Sequence, residues 1–388
     1  MDYTISKDFL RFVLAIKHGS ARQLFPDRFY RGDLLDMYYY TPHLIPYICP
    51  RNHVALHENG AELQTSTDKI TYPNKDGIPN FLAFSAVEDD ESIKRLEQLN
   101  LLAESMNWKE ALESVYRSNS GFVDYVANSE RAKFIELLPL TQKSDVLEIG
   151  PGLGQFTAML ATRVRSVCAL EVVEGQARFA ATRCRQEGIK NVQFAVGGDD
   201  CRLPYNDGSF DVVVLNLVFE WCGSRSSDEA FDSVQRRFLS EIARVLQPGG
   251  VLYIATKNRF ALRYLLGKAD EHCYGMAFGN ALPRALTSLA LRWRGRTRIG
   301  GMLHSYKALR KMVFNAGFAK IDSYWATPEM RCPEFYVPCN AGAIRRARRE
   351  PGFLQGDSKV TRFIMPLIPA SLVKYLTPGL ALLAVKSK

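Results

Sequence analysis

At 388 residues the chain is long enough for two or three domains, or for one domain with large insertions. Its 47% hydrophobic and 23% charged residues exclude a collagen-like or low-complexity chain, and no apolar run reaches the roughly 20 residues of a membrane-spanning helix. The net charge of +9 is uneven: from Lys257 to Lys388, 23 Lys and Arg face 7 Asp and Glu, which suits either a solvated basic face or a phosphate-bearing partner (nucleic acid, membrane surface, phosphorylated glycan or lipid).

The 8 cysteines show no C-x-x-C spacing, and Met1–Ser6 lacks the basic and apolar regions of a signal peptide. Reduced thiols and a cytoplasmic location are the expectation.

Residues 1–88 mix aromatic and polar residues, punctuated by prolines from Pro26 to Pro79. After the acidic break Val87–Glu91, Leu96, Leu99, Leu102, Met106 and Leu112 recur at helical spacing, and a second helix is expected over Val123–Leu138. Residues 89–132 thus read as a helical linker.

From Asp145 strands and helices alternate. Strands are predicted at Val146–Ile149, Ser166–Leu170, Val192–Val196, Phe210–Leu217 and Val251–Thr256, with helices at Gln155–Arg163, Glu174–Glu187 and Ala230–Leu246. The nearly unbroken apolar run of the fourth strand predicts burial on both faces. Such alternation implies a mostly parallel sheet with right-handed crossovers. Beyond Lys257 the chain is basic, with a helix expected at Tyr306–Ala316 and strands at Gly317–Trp325 and Leu380–Val385. Residues 326–379 are too many for a hairpin loop and read as an insertion helping to build a substrate site.

The segment Glu148-Ile149-Gly150-Pro151-Gly152-Leu153-Gly154 follows a strand and opens a helix, so its backbone can approach a ligand closely. Alone, that pattern also suits a dinucleotide or a purely structural turn. Glu148 narrows it, because a carboxylate there would repel a pyrophosphate but tolerate a cationic ligand. Glu171 ends the second strand, where a carboxylate can accept from ribose hydroxyls. Asp199 and Asp200 follow the third strand, and Arg244-Val245-Leu246-Gln247-Pro248-Gly249-Gly250 precedes the fifth.

This ordered set, with Gly198–Tyr205 and Asp207-Gly208-Ser209-Phe210-Asp211-Val212-Val213, resembles the class I S-adenosylmethionine-dependent methyltransferases over residues 133–257. The resemblance implies an α/β, Rossmann-like fold with a seven-stranded, mostly parallel sheet and an antiparallel last strand, plus a small N-terminal α+β domain and a C-terminal insertion. It implies S-adenosyl-L-methionine as cofactor: its methionine tail at Glu148, Gly150, Gly152 and the Gly154 turn, its ribose at Glu171, its adenine at Asp199 and Asp200, and Asn216 lining the transfer site. Residues 258–388 would then form the acceptor-binding region.

Tyr47-Ile48-Cys49-Pro50 and Tyr72–Pro79 are similar to the two ends of a zinc-ribbon-related activator domain of tRNA and protein methyltransferases. Asn52 stands where a second cysteine belongs, and one cysteine cannot make a tetrahedral thiolate site, even with His53 and His57 nearby. A metal-free scaffold is expected.

An oxygen acceptor often needs a general base. His272 is the candidate, with Glu220; His304 reads as structural. Trp221, Arg331 and Glu334 are candidate substrate-binding residues by position. Lys257–Phe260, Asp270–His272 and Pro333–Phe335 together resemble a bacterial group associated with surface-polysaccharide biosynthesis, which implies a glycan or small-molecule acceptor, some on phosphate-bearing carriers. The apolar stretch Phe363–Val373 suits peripheral membrane contact or, more simply, packing on the core. Two other readings stay open: an RNA methyltransferase, weakened by the absence of a recognised RNA-binding module and of an Asn-Pro-Pro-Tyr-like segment at Asn216, and a non-catalytic cofactor-binding subunit or scaffold.

Overall fold

The structure is a computed structural model and describes residues 43–84, 89–225, 229–328, 330–354 and 358–388. The expectations for residues 1–42 and for Val87 and Glu88 lie outside them.

The main sheet has eight strands. Five are parallel: β5 (Asp145–Ile149), β6 (Ser166–Glu171), β7 (Val192–Val196), β8 (Phe210–Asn216) and β9 (Leu246–Lys257). Next to β9 lies antiparallel β12 (Gly379–Lys386), then β10 (Phe318–Thr327), then β11 (Phe335–Pro338). The spatial order is β11-β10-β12-β9-β8-β5-β6-β7. The α/β class and the antiparallel closing strand are as expected, but the count is eight rather than seven. The extra strand, β11, belongs to the insertion and pairs Phe335–Pro338 with Tyr324–Thr327.

β8 sits at the centre, and its side chains alternate between two cores. Val213 and Leu215 face a layer built with Phe238, Leu239, Ile242 and Val245 of the helix Phe231–Val245. Val212 and Val214 face the opposite layer with Phe134, Phe156 and Leu160. This two-sided burial is the reason the strand reads as a continuous apolar run.

The helical stretches are shorter and more divided than expected. The first is α1 (Asp90–Ser105) and α2 (Trp108–Val115), broken where Asn107 accepts the amide of Lys109 as an N-cap. The second is α3 (Ser120–Ala127) followed by 3-10 turns over Ser129–Leu137. After the glycine turn only Thr157–Ala161 is α-helical (α4). α5 (Glu174–Gln186) and α6 (Phe231–Val245) match within a residue.

Residues 43–84 carry four antiparallel strands: β1 (Leu56–Asn59), β2 (Glu62–Thr65), β3 (Thr71–Lys75) and β4 (Ile78–Pro79). This small sheet shares a core with the large one: Ile45, Cys49, Tyr72 and Phe81 pack with Leu147, Leu170 and Tyr205. Asn80 bridges Val196, and the Phe81 amide donates to the Val196 carbonyl at 2.7 Å. The edge strand β7 is thereby covered, which removes an unpaired edge. Cys49 is buried with its thiol 3.1 Å from the Tyr72 hydroxyl, whereas His53 and His57 are exposed.

The insertion builds its own cluster, Trp325, Val337, Ile344, Phe353, Met365 and Val373. The stretch Phe363–Val373 is split: Met365 and Val373 are buried, while Phe363, Leu367 and Leu372 are exposed. Among the described residues no helix is long and apolar enough to cross a membrane.

Candidate active site

The glycine turn leaves β5 with Gly150, Gly152 and Gly154 all at positive φ (72°, 58° and 76°), a region that costs other residues on the order of 1–2 kcal/mol. A Cβ on Gly150 would lie 2.4 Å from a methyl of Val218, and one on Gly154 3.0 Å from Ala180. Gly152 is different: the nearest atoms to its would-be Cβ are side-chain oxygens of Gln155 and Gln176 at 3.7 and 3.8 Å. The turn is tightly packed at Gly150 and Gly154 and more loosely covered, by flexible glutamine side chains, at Gly152.

Two buried carboxylates flank it. Glu148 accepts from the Thr157 hydroxyl at 2.6 Å, and burial, aided by the neighbouring charge of Glu171, pushes its carboxyl up to about 7. Glu171 is also raised by burial. It accepts from the amides of Gly152 (2.9 Å), Val172 (2.8 Å) and Val173 (3.1 Å). Of about four acceptor positions on a carboxylate, these bonds use three.

Asp199, expected at the adenine, also has a structural partner. Its carboxylate accepts the amides of Ala83 and Phe84, at 3.1 and 2.8 Å, and so fastens the end of the N-terminal module across the sheet. Asp200 accepts the Arg202 amide at 3.0 Å and is raised chiefly by burial.

β8 ends at Asn216, whose Oδ1 is buried without a hydrogen-bond partner. The chain then turns through Leu217 at φ 61° and lays Val218 on the glycine turn. The following 3-10 turn, Phe219–Trp221, carries Glu220, 1% exposed, with Oε2 unpartnered. Burial raises its carboxyl, opposed by His272 and by a hydrogen bond from Thr256.

His272 is brought to the same place. It is fully buried, and the ring of Trp221 packs on it at a centroid distance of 4.3 Å. A Cβ on Gly301 would sit 2.5 Å from His272 Cδ2, 3.0 Å from the Glu220 carbonyl and 3.3 Å from Trp221, so these groups close around one glycine. His272 Nδ1 lies 2.5 Å from Asp270 Oδ1.

Asp270, which the sequence did not single out on its own, organises the cluster. Burial disfavours its charge, but the bond to His272, the Tyr264 hydroxyl (2.5 Å) and Lys257 Nζ (3.1 Å) hold its carboxyl far below the usual range. An ionised carboxylate only accepts, so Nδ1 carries the proton in this pair. In the neutral ring Nε2 is then a bare acceptor, and it is buried with no partner. Lys257 also pairs with Glu271, which Arg331 reaches at 2.9 Å. Arg331 thus joins the cluster's outer edge beside a cavity of about 130 Å3 lined by Lys257, Tyr264, Asp270 and Met330. Glu334 does not join it; it is exposed, and its amide donates to the Thr327 carbonyl at 2.8 Å. His304 is a core residue, bound to Gln235 at 2.6 Å and depressed to about 4 by burial.

Residues 147–254 match the model of a family described as a methyltransferase domain. That span contains the glycine turn, both flanking carboxylates and the end of β8. Over those residues the chain resembles a class I methyltransferase domain. It is 33% identical over 159 residues to the biotin biosynthesis bifunctional protein BioHC of Cellvibrio japonicus, covering 40% of this chain and 28% of that one. It is 31% identical over 159 residues to a malonyl-[acyl-carrier protein] O-methyltransferase of Methylococcus capsulatus, covering 40% and 52%. The match therefore spans from about a quarter to about half the length of these curated relatives. A solved structure of a putative methyltransferase from Bacillus halodurans is 15% identical and covers 67% of this chain and 100% of its own, at a TM-score of 0.38.

The cofactor of a methyltransferase domain of this class is S-adenosyl-L-methionine, and the residues present fit it. Glu148 is a buried carboxylate short of a cation, Gly152 is met only by the mobile side-chain ends of Gln155 and Gln176, Glu171 keeps one acceptor position, and Asn216 Oδ1 is an orphaned acceptor. A cationic ligand with hydroxyl and amino donors would satisfy each of these.

Proposed function

We propose that the protein is an S-adenosylmethionine-dependent O-methyltransferase acting on a small biosynthetic intermediate, with His272 as general base and Asp270 as its positioning residue. The observation that carries this reading is the buried Asp270–His272 pair with an unpartnered Nε2, joined through Trp221 and Glu220 to the segment that packs on the glycine turn. Glu148, Gly150, Gly152, Glu171, Asp200 and Asn216 hold the cofactor, which supplies an electrophilic methyl group on a sulfonium. His272 Nε2 takes the proton from the acceptor oxygen, and the Asp270 carboxylate stabilises the imidazolium that results. The buried surroundings of Glu220 and His272 exclude water from that proton transfer. Glu220, its proton favoured by burial, is placed to donate a hydrogen bond to the acceptor.

Several curated relatives are by name O-methyltransferases, which supports an oxygen acceptor. A glycan hydroxyl is the first acceptor to test, because it needs the base that the Asp270–His272 pair provides. Exposed Phe363, Leu367 and Leu372 beside a basic chain end suit an acceptor presented at a membrane surface. The test is calorimetric titration of the protein with S-adenosylmethionine and S-adenosylhomocysteine beside Gly152→Arg, followed by methyl transfer to glycan and carboxylate acceptors. Micromolar binding lost in the variant is expected; a folded wild type that binds neither compound overturns the reading.

A further inference from the structure

Behind the Asp270–His272 cluster lies a cavity of about 400 Å3 whose wall carries four arginines: Arg259, Arg284, Arg292 and Arg298. Arg284 and Arg292 come from the helix Arg284–Trp293, Arg259 from the turn after β9. Arg259 donates to the carbonyls of Asn280 (3.0 Å) and Leu282 (2.9 Å), and Arg284 to that of Leu303 (2.8 Å). These bonds fix the two guanidiniums without neutralising them. Among the described residues no carboxylate lies within ion-pair distance of either. Glu229, on the cavity wall, is paired with Arg237 at 2.5 Å, and nearby Asp232 with Arg236 at 2.8 Å. Burial first, and then the charge of Arg259, push the Arg284 guanidinium down to about 10, against an opposing pull from Asp232.

A second, independent feature points to a ligand. Asn280, on the same wall, is 7% exposed; its Oδ1 accepts from the Cys273 thiol at 3.4 Å, and its Nδ2 is buried with no partner. An unmet buried amide donor is costly, so a site that keeps one beside two guanidiniums without an ion-pair partner suits an oxyanion. A single carboxylate would leave one positive charge uncompensated. A phosphate monoester carries roughly −1.5 to −2 at neutral pH and offers three acceptor oxygens, which matches two guanidiniums and one amide.

We infer that this cavity binds the phosphate of a phosphate ester, held by Arg259 and Arg284 with Asn280 Nδ2 donating the third bond. The site adjoins the proposed base: Cys273 follows His272 in the chain, and the Met302 amide donates to the Glu220 carbonyl at 2.7 Å. The ester is therefore part of the acceptor, which rests on the methyltransferase reading above.

The test titrates the full chain with inorganic phosphate, glycerol 3-phosphate, malonate and chloride at constant ionic strength, with S-adenosylhomocysteine titrated into the same samples. Saturable binding of phosphate and glycerol 3-phosphate is expected, at least tenfold weaker in Asn280→Asp and Arg284→Gln, with S-adenosylhomocysteine affinity unchanged. Ser288→Asp, which adds a charge to the wall and removes no arginine, should lose the phosphate as well and covers the case in which the other variants fail to fold. Equal binding of malonate or chloride, or phosphate affinity untouched by any variant, overturns the site. Binding of inorganic phosphate but not of glycerol 3-phosphate overturns the ester. Retained S-adenosylhomocysteine binding without phosphate binding removes this inference alone; the reverse removes the methyltransferase reading and leaves the anion site.

Discussion

Asp270 holds His272 by two bonds at once: the ring Nδ1 at 2.5 Å and the backbone amide at 3.1 Å both converge on Oδ1. The ring is thereby fixed in orientation and tautomer, and the remaining Nε2 is the atom free to accept a proton. Asp270→Asn keeps the shape but offers an amide donor in place of a pure acceptor, which turns the tautomer. We expect kcat to fall by about 10²- to 10⁴-fold, with S-adenosylmethionine affinity within about twofold of the parent. The double variant with His272→Ala should be no slower than His272→Ala alone. Strictly additive losses would show that the two residues do not act as a unit.

Gly301 supplies a test that touches no reacting group. A methyl there would press on His272 Cδ2 at 2.5 Å and on the Glu220 carbonyl at 3.0 Å. Gly301→Ala should displace the ring, lower kcat by about tenfold or more, and leave cofactor binding intact. Its thermal midpoint should drop only modestly, since overpacking costs typically 1–3 kcal/mol. Full activity in this variant would mean that the ring position is not critical.

Glu148 predicts a pH dependence with a definite sign. Its carboxyl is raised from 4.5 to about 7 in the fold, so the folded state binds the proton more tightly than the unfolded chain. The associated stability, about 3 kcal/mol for that gap, is fully present below pH 4.5 and lost as pH rises through 7. Glu148→Gln should flatten this slope in the ligand-free protein and stabilise it at pH 8. A cationic ligand reverses the preference, so S-adenosylmethionine binding near pH 6.5 should release a proton from the parent and none from the variant. Calorimetry in two buffers of different ionisation enthalpy reads that proton directly; equal release by both proteins would place it elsewhere.

Much of this was legible in the sequence because it is local. The five parallel strands announce themselves through short apolar runs, and the glycine turn through three residues that must take positive φ. What escaped is long-range. β11 is four residues of ordinary composition, made a strand only by pairing with β10. The bond between Phe84 and Asp199 spans 115 positions, and nothing around Asp199 distinguishes an adenine acceptor from an anchor for a distant amide. His272 is identifiable as a candidate, and Asp270 lies two positions before it in the sequence. That the two bond, with Tyr264 and Lys257 behind them, is a property of the packed loop. The four arginines of the anion cavity are spread from 259 to 298, and in the sequence they register only as a basic chain end.

The Asp199 anchor is itself testable. Its carboxylate receives the amides of Ala83 and Phe84, and bonds to a charged acceptor are worth roughly 1.5–3 kcal/mol. Asp199→Asn keeps the size but presents one carbonyl oxygen where two carboxylate oxygens now accept. Hydrogen exchange at Ala83 and Phe84 should speed up by about tenfold or more, while amides inside β5 and β8 stay protected. Because Phe81 packs on Gly197 and the strand it follows covers β7, the loosening should end at that edge. If Asp199 instead serves only the cofactor, exchange at residues 83 and 84 will not change and S-adenosylmethionine affinity will fall. The two measurements on one variant therefore separate an anchor from a ligand contact.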